Sequence, residues 1–303
     1  MIITILFYPI LKFLIENKFC NLAFVLAIVI YYFTVKLKLK RAAMSKGIVS
    51  LHYQMKGEGP SLIFVHGFPL SHEMWNPQFL FFTKNNFNVI VPDLRGFGLS
   101  SVEHSDQTMD DFADDIISLA NKLEIEKFSV VGMSMGGYIV FNLLERYPTR
   151  IDKVILVATK ASADDEKGKE RRNQLIDLAL TKGKKAVTEE FKKILFAPLT
   201  WEKRKDLITE VSFILESASL NGIVGSLKAM RDRKDYVEFL SKINNQTLVI
   251  HGKSDLASPI SNAELMVEKI PNAKYYYSEI AGHLVNLEDA EKVNEVILEF
   301  LKE

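Results

Sequence analysis

The sequence predicts an α/β fold, a mostly parallel and doubly wound sheet interrupted by one helical insertion. Three observations lead there. Short apolar runs rich in β-branched and aromatic residues recur through residues 44–303. They lack the strict alternation of half-exposed strands, as strands covered on both faces do. Segments with apolar residues three or four apart fall between these runs, the spacing of amphipathic helices. After the run that ends near Ala158, roughly 85 residues show only helical periodicity before the next run begins near Thr247, far more than a crossover needs.

Taken in chain order, the strands are expected at 48–55, 61–65, 88–92, 128–132, 153–158, 247–251 and 274–278. Helices are expected at 109–123, where Met109, Phe112, Ile116, Leu119, Ala120 and Leu123 share a face, and at 138–146 and 288–301. Residues 44–160 and 243–303 then form the core, and residues 161–242 form a helical insertion over the sheet. The charge run in that insertion (Asp164, Asp165, Glu166, Lys167, Lys169, Glu170, Arg171, Arg172) reads as a solvated helix face.

Composition excludes several classes. Of the 303 residues, 48% are apolar and 25% charged, which is a globular mixture and not a disordered, collagenous or multi-span one. Lys plus Arg and Asp plus Glu both number 38, so no global basic field exists to bind nucleic acid. Residues 1–43 stand apart, with Lys12, Lys18, Lys36, Lys38, Lys40 and Arg41 against Glu16 alone. Residues 19–35 carry no charge, at the lower limit of length for a bilayer span, and a basic cluster follows. The segment is either a membrane anchor whose flank keeps the rest of the chain in the cytoplasm, or an extension upstream of a start at Met44. The alternation of Val35, Leu37 and Leu39 with Lys36, Lys38 and Lys40 also fits an edge strand. A secretory signal is disfavoured, since Met1 to Leu11 carries no charged side chain and no small-residue cleavage site follows the apolar stretch. Cys20 is the only cysteine, which fits a reducing cytoplasm and removes disulfides and thiolate zinc sites from residues 44–303.

The chemistry centres on Gly132-Met133-Ser134-Met135-Gly136-Gly137, which follows an expected strand and precedes an expected helix. A G-x-S-x-G turn in that context is a nucleophile elbow: the sharp turn exposes Ser134, and Gly132 and Gly136 avoid backbone collisions. A serine hydroxyl needs a base, and the base needs a carboxylate. Asp255 follows the strand at 247–251, and His283 follows the last strand. The order Ser134, Asp255, His283 is that of hydrolases with this elbow. Asp164 is the nearest competitor for the acid. The oxyanion donors are expected at the N–H groups of Met135, next after the nucleophile, and of Phe68, in the His66-Gly67-Phe68-Pro69 loop. His66 and His251, each before a glycine at a strand end, are read as loop braces, while His52, His72 and His104 show no partner pattern. No metal-ligand spacing and no phosphate-binding glycine loop is present, so no metal and no cofactor is expected.

These residues resemble the α/β-hydrolase superfamily over essentially all of residues 48–303. The resemblance runs through His66-Gly67-Phe68-Pro69, Asp93-Leu94-Arg95-Gly96-Phe97-Gly98-Leu99-Ser100, the Ser134 elbow, Asp255 and Ala281-Gly282-His283. The elbow and Ala281 to Glu288 look most like lid-bearing esterases and 3-oxoadipate enol-lactonase-like hydrolases. The resemblance implies that residues 161–242 are a lid shaping an acyl or alcohol pocket, and that no cofactor is used. Ser134 stands where haloalkane dehalogenases and epoxide hydrolases carry aspartate. The loop at His66 is also similar to that of cofactor-free haloperoxidases. The expected activity is hydrolysis of a small-molecule ester, lactone or thioester through an acyl-serine. Carbon–carbon bond hydrolysis, perhydrolysis and a non-enzymatic ligand receptor of the same fold are the alternatives.

Overall fold

The computed structural model of the chain describes residue 47 and residues 49–303. The anchor, upstream extension or edge strand expected within residues 1–43 lies outside the described residues. Among the described residues no single helix is long and apolar enough to cross a membrane.

Among the described residues seven strands form one sheet: β1 (Tyr53–Lys56), β2 (Ser61–Val65), β3 (Asn88–Pro92), β4 (Phe128–Met133), β5 (Ile151–Val157), β6 (Thr247–Gly252) and β7 (Lys274–Ser278). Their order is β1-β3-β2-β4-β5-β6-β7. Only β1 runs antiparallel, pairing Tyr53 with Pro92; the other pairs are parallel. Sheet order reverses between β2 and β4, since β3 lies on one side of β2 and β4 on the other. Open α/β sheets bind ligands at such a point, beyond the carboxyl ends of the strands. The loop at Phe68 and the turn at Ser134 leave the sheet there.

Alternation along the strands divides the core, because successive side chains point to opposite faces. Ile63, Val65, Ile90 and Val130 pack with helices α2 (Met109–Lys122) and α3 (Met135–Arg146). Leu62, Phe64, Val89, Val131 and Ile250 pack on the other face with α1 (Asn76–Lys84), through Phe79 and Phe82. The C-terminal helices α10 (Val285–Glu288) and α11 (Ala290–Lys302) join that second face through Val293, Ile297 and Phe300. Helix α9 (Ser261–Lys269) joins the first through Ala263 and Met266.

Between β5 and β6 the chain is helical, with α4 (Glu166–Lys182), α5 (Lys184–Leu195), α6 (Pro198–Lys203), α7 (Lys205–Glu216), α8 (Leu220–Arg231) and a 3-10 turn at Val237–Lys242. Local signals start these helices. Asp165 caps α4 by accepting the Gly168 N–H at 2.8 Å, Ser219 caps α8 by accepting that of Gly222 at 2.9 Å, and Pro198 opens α6. Residues 48–303 form one compact unit containing both the sheet and this insertion.

Several expectations need correction. The first strand is only Tyr53–Lys56: the His52 carbonyl still accepts the Asp93 N–H beside β3, but the His52 N–H donates to the Ser100 side chain and the Val49 N–H to that of Asp115. Helix α3 begins at Met135, immediately after the elbow, and not at Tyr138. The C-terminal helix is broken at Asp289, whose backbone (φ −129°, ψ 45°) is not helical. The charge run is not uniformly solvated. Asp164 is buried, and Arg172 lies largely inside a pocket wall.

Candidate active site

Ser134 occupies the turn between β4 and α3 with φ 52° and ψ −112°, a conformation that side chains disfavour. Its neighbours hold it there. The Ser134 N–H donates to the Val157 carbonyl at 2.9 Å, and its own carbonyl accepts the Thr159 hydroxyl at 2.7 Å and the Gly137 N–H at 2.9 Å. Two glycines make the turn sterically feasible. A Cβ on Gly136 would sit 2.2 Å from the Val65 carbonyl oxygen, and one on Gly132 would sit 2.6 Å from that of Gly136. The result is a half-buried hydroxyl at a helix N-terminus, where free N–H groups favour negative charge.

His283 Nδ1 lies 2.8 Å from Asp255 Oδ2, a carboxylate oxygen that accepts its hydrogen bond. The same carboxylate accepts the N–H groups of Ala257 (2.8 Å) and Ser258 (2.9 Å) on Oδ1, which fixes its plane. Asp255 is 8% exposed and His283 4%. Asp164, the competing acid, is bonded elsewhere. Its partners are Lys160, Arg172 and Arg233. Burial pushes its carboxyl up, but Arg233 and Arg172 outweigh burial and hold it well below the usual carboxylate range.

Ser134 and His283 line one cavity of about 210 Å³. The core contributes Phe68, Tyr138, Ala257 and Ser258 to its wall; the insertion contributes Asp164, Arg171, Arg172, Leu175, Phe191 and Met230 among others. Phe68 lies at the end of the β2 loop, its ring edge-on to Phe191 with centroids 4.8 Å apart. Met135 is the first residue of α3, so its N–H has no partner within the helix. A half-buried serine and an imidazole in contact with a fixed carboxylate thus line one cavity beside a helix N-terminus, groups of the kind that can supply a nucleophile, a base and anion stabilisation.

A family model described as alpha/beta hydrolase fold matches residues 60–187. A thermophilic esterase from Thermogutta terrifontis, solved with malate bound, is 34% identical, covering 83% of this chain and 93% of that one with a TM-score of 0.81. The chain belongs to the α/β-hydrolase superfamily. Other α/β-hydrolase relatives include the 3-oxoadipate enol-lactonase 2 of Acinetobacter baylyi, 27% identical over 84% of this chain and 94% of that protein. A putative non-heme chloroperoxidase of Synechocystis is 29% identical over 84% of this chain and 95% of that protein.

Within this α/β-hydrolase two groups have no signal in sequence spacing. The first is Glu288. Its Oε1 accepts the Gly282 N–H at 2.9 Å, beside His283, while Oε2 accepts the Ala197 N–H at 2.8 Å and the Thr200 hydroxyl at 2.6 Å. One buried carboxylate thus ties the His283 loop to the insertion. Burial raises its pKa despite those bonds. The second group corrects the reading that His52 and His72 lack partners. Their Nδ1 atoms each lie 2.8 Å from an oxygen of Asp93, although 41 and 21 residues separate them from it in the chain. His52, His72 and Asp93 have the composition of a metal site. Both Asp93 oxygens, however, already accept two bonds each, the others coming from the His72 and Leu99 N–H groups. Burial raises the Asp93 pKa, but the bonds from His72 and Leu99 outweigh it and hold the carboxyl ionised. The cluster is a brace between the β1 and β3 loops, with its carboxylate fully satisfied.

His66 and His251 brace loops as their positions suggest. His66 Nδ1 lies 2.9 Å from the Gly67 carbonyl, and Nε2 accepts the Leu94 N–H at 2.9 Å. His251 Nε2 lies 2.8 Å from the Ser258 carbonyl. The His104 carbonyl accepts a bond from the Gln107 side chain.

Proposed function

We propose that this α/β-hydrolase is a serine hydrolase that cleaves a carboxylic ester, lactone or thioester through an acyl-serine intermediate. The observation that carries the reading is the 2.8 Å contact of His283 Nδ1 with Asp255, with His283 and the strained Ser134 in one cavity. In this mechanism Asp255 holds the Nδ1–H tautomer, which leaves Nε2 free to take the Ser134 proton as Oγ attacks the carbonyl. The N–H groups of Met135 and Phe68 stabilise the oxyanion. The imidazolium then protonates the leaving group, and water, activated by the same histidine, releases the acid and regenerates Ser134.

Residues 161–242 act as a lid in this reading, since most of the residues lining the cavity come from them. The volume, about 210 Å³, is below that of drug-sized pockets and favours a short acyl or alcohol group. The cysteine-free stretch 44–303 fits work in a reducing cytoplasm. A panel of short esters, thioesters and lactones tests the activity. Turnover that disappears in Ser134→Ala supports it, and equal turnover in both proteins, or none on any member of the panel, refutes it.

A further inference from the structure

The insertion wall of the cavity carries two cations, Arg171 and Arg172, and two carboxylates, Asp164 and Glu190. Buried Asp164 is approached by three cations: Lys160 Nζ at 3.1 Å, Arg172 Nε at 2.9 Å and Arg233 Nη2 at 2.9 Å. Arg233 is itself buried, stacked on the Tyr138 ring at 4.2 Å, and takes Asp164 as its counter-ion. A sealed guanidinium requires such a partner. Glu190 is shared in the same way between Arg171 Nη2 at 3.5 Å and Lys193 Nζ at 2.7 Å. Asp164 and Glu190 are thus each bonded to more than one cation, although Lys160, Lys193 and Arg233 do not themselves line the cavity. Asp165, Glu166 and Glu170 on the same helix are exposed and do not line the cavity, so solvent and salt screen them from it.

Arg172 is placed to meet an anion in the cavity. It lines the same cavity as Ser134 and His283, with only Nε bonded to Asp164. Its two terminal nitrogens have no hydrogen bond among the described residues, which leaves a fork suited to a carboxylate. Arg171 lines the cavity beside it and is half exposed.

We propose that the cavity selects substrates carrying a carboxylate a short distance from the scissile carbonyl, such as half-esters or lactones of short dicarboxylic acids, with Arg172 as anchor and Arg171 at the rim. This rests on the acyl-serine reading of Ser134 and adds the substrate class to it.

Monomethyl glutarate and methyl pentanoate have the same acyl chain length and differ in a terminal carboxylate, and pH-stat titration measures kcat/KM for both. The expected result is a preference for the half-ester of about tenfold or more, the scale of a charge-assisted bond. That preference should shrink as ionic strength rises from about 0.02 to about 0.5 M. Arg172→Gln should reduce it about tenfold, and Arg172→Lys, which keeps the charge without the fork, should recover part of it. Equal rates on the two esters, or an unchanged ratio in Arg172→Gln, would overturn the proposal. Ligand-observed NMR of monomethyl glutarate and methyl pentanoate with Ser134→Ala separates the two readings, because binding does not require turnover. Selective binding of the half-ester, lost when Arg172→Gln is added, supports the anion site even if neither ester is cleaved by the parent protein; equal binding of both overturns it.

Discussion

His251 Nε2 lies 3.3 Å from Asp255 Oδ2, the same oxygen that His283 Nδ1 contacts at 2.8 Å. His251 is fully buried, and desolvation lowers its pKa although Asp255 and the Ser258 carbonyl oppose this. A neutral ring with its proton on Nε2 donates to Ser258 and Asp255 together, leaving Nδ1 as a buried acceptor with no partner. His251 is thus a second support for the carboxylate that orients His283. Replacing it by Asn removes a bond to a charged group, worth about 1.5 kcal/mol. We expect His251→Asn to lower kcat about tenfold with KM nearly constant. A rise in KM at constant kcat would show that His251 shapes substrate binding instead.

Ser134→Ala, His283→Ala and Asp255→Asn should each lower ester turnover by about three orders of magnitude or more, with unfolding midpoints near that of the parent protein. In the proposed acyl-serine mechanism the three groups act as one unit, so the double variant Ser134→Ala/His283→Ala should be no slower than the single ones. Asp164→Asn separates the two candidate acids. It should retain turnover of a neutral ester far better than Asp255→Asn, since Asp164 is bonded to Arg172, Arg233 and Lys160 and Asp255 to His283; the reverse ranking would move the acid into the insertion.

Gly136→Ala is a steric test of the elbow. The added methyl would lie 2.2 Å from the Val65 carbonyl oxygen, a backbone atom that no side-chain rotation can move away. Separating α3 from β2 costs about 1 to 3 kcal/mol and displaces the Met135 N–H from the Phe68 loop. Activity should fall more than stability does. Chemical denaturation and ester turnover of one preparation measure both, and wild-type values for each would show that the turn has slack.

Glu288→Gln keeps shape but replaces one acceptor oxygen with a donor. The two Glu288 oxygens together accept three hydrogen bonds, from Gly282, Ala197 and Thr200. Whichever way the amide sits, at least one N–H faces another, at a cost of about 2 kcal/mol. The melting temperature should fall by roughly 4 to 8 °C for a body of this size. An unchanged midpoint would mean that Glu288 is protonated in the native protein and already presents a donor.

Legibility of the sequence followed the range of the interactions. Strands β2 and β3 fall at the ends expected for them, because a buried strand carries its own apolar signature, and β7, mostly exposed or half-buried, does so through its run of three tyrosines, Tyr275 to Tyr277. The elbow is equally local, and Ser134 does adopt a positive φ. What failed was non-local. Residues 49–52 look like strand, but the Val49 and His52 N–H groups are claimed by Asp115 and Ser100 from elsewhere in the chain. Nothing near His52 or His72 announces Asp93, and nothing near Glu288 announces Ala197. The charge run at 164–172 has helical spacing on a polar background, so period alone could not show that Asp164 is buried against Arg233. Helices α1 and α9 escaped specific placement; α1 mixes Pro77, Gln78 and a cluster of phenylalanines without a clean apolar stripe.

Acid stability provides a further prediction, through His66. Burial pushes the His66 pKa down from 6.5 to about 4, against a weaker opposing pull from Asp93. In the unfolded chain the ring takes a proton below about pH 6.5, whereas in the native loop it stays neutral until about pH 4. Between those values the unfolded state holds more protons, so stability must fall as pH falls through that window. The stabilisation is complete above pH 6.5 and lost at about pH 4, and its full size is about 3 kcal/mol. His251, shifted in the same direction, adds to the slope, while Asp93 and Asp164, held below the usual carboxylate range, act at lower pH. His66→Gln replaces the ring with an amide that can still accept from Leu94 and donate to Gly67 but cannot titrate. Urea unfolding from about pH 7.5 down to about 4.5 should therefore show a pH slope in His66→Gln that is smaller by about one proton. If the variant and the parent protein lose stability with the same slope, the ring at position 66 is protonated in the native state, and the hydrogen bond it accepts from Leu94 is not there.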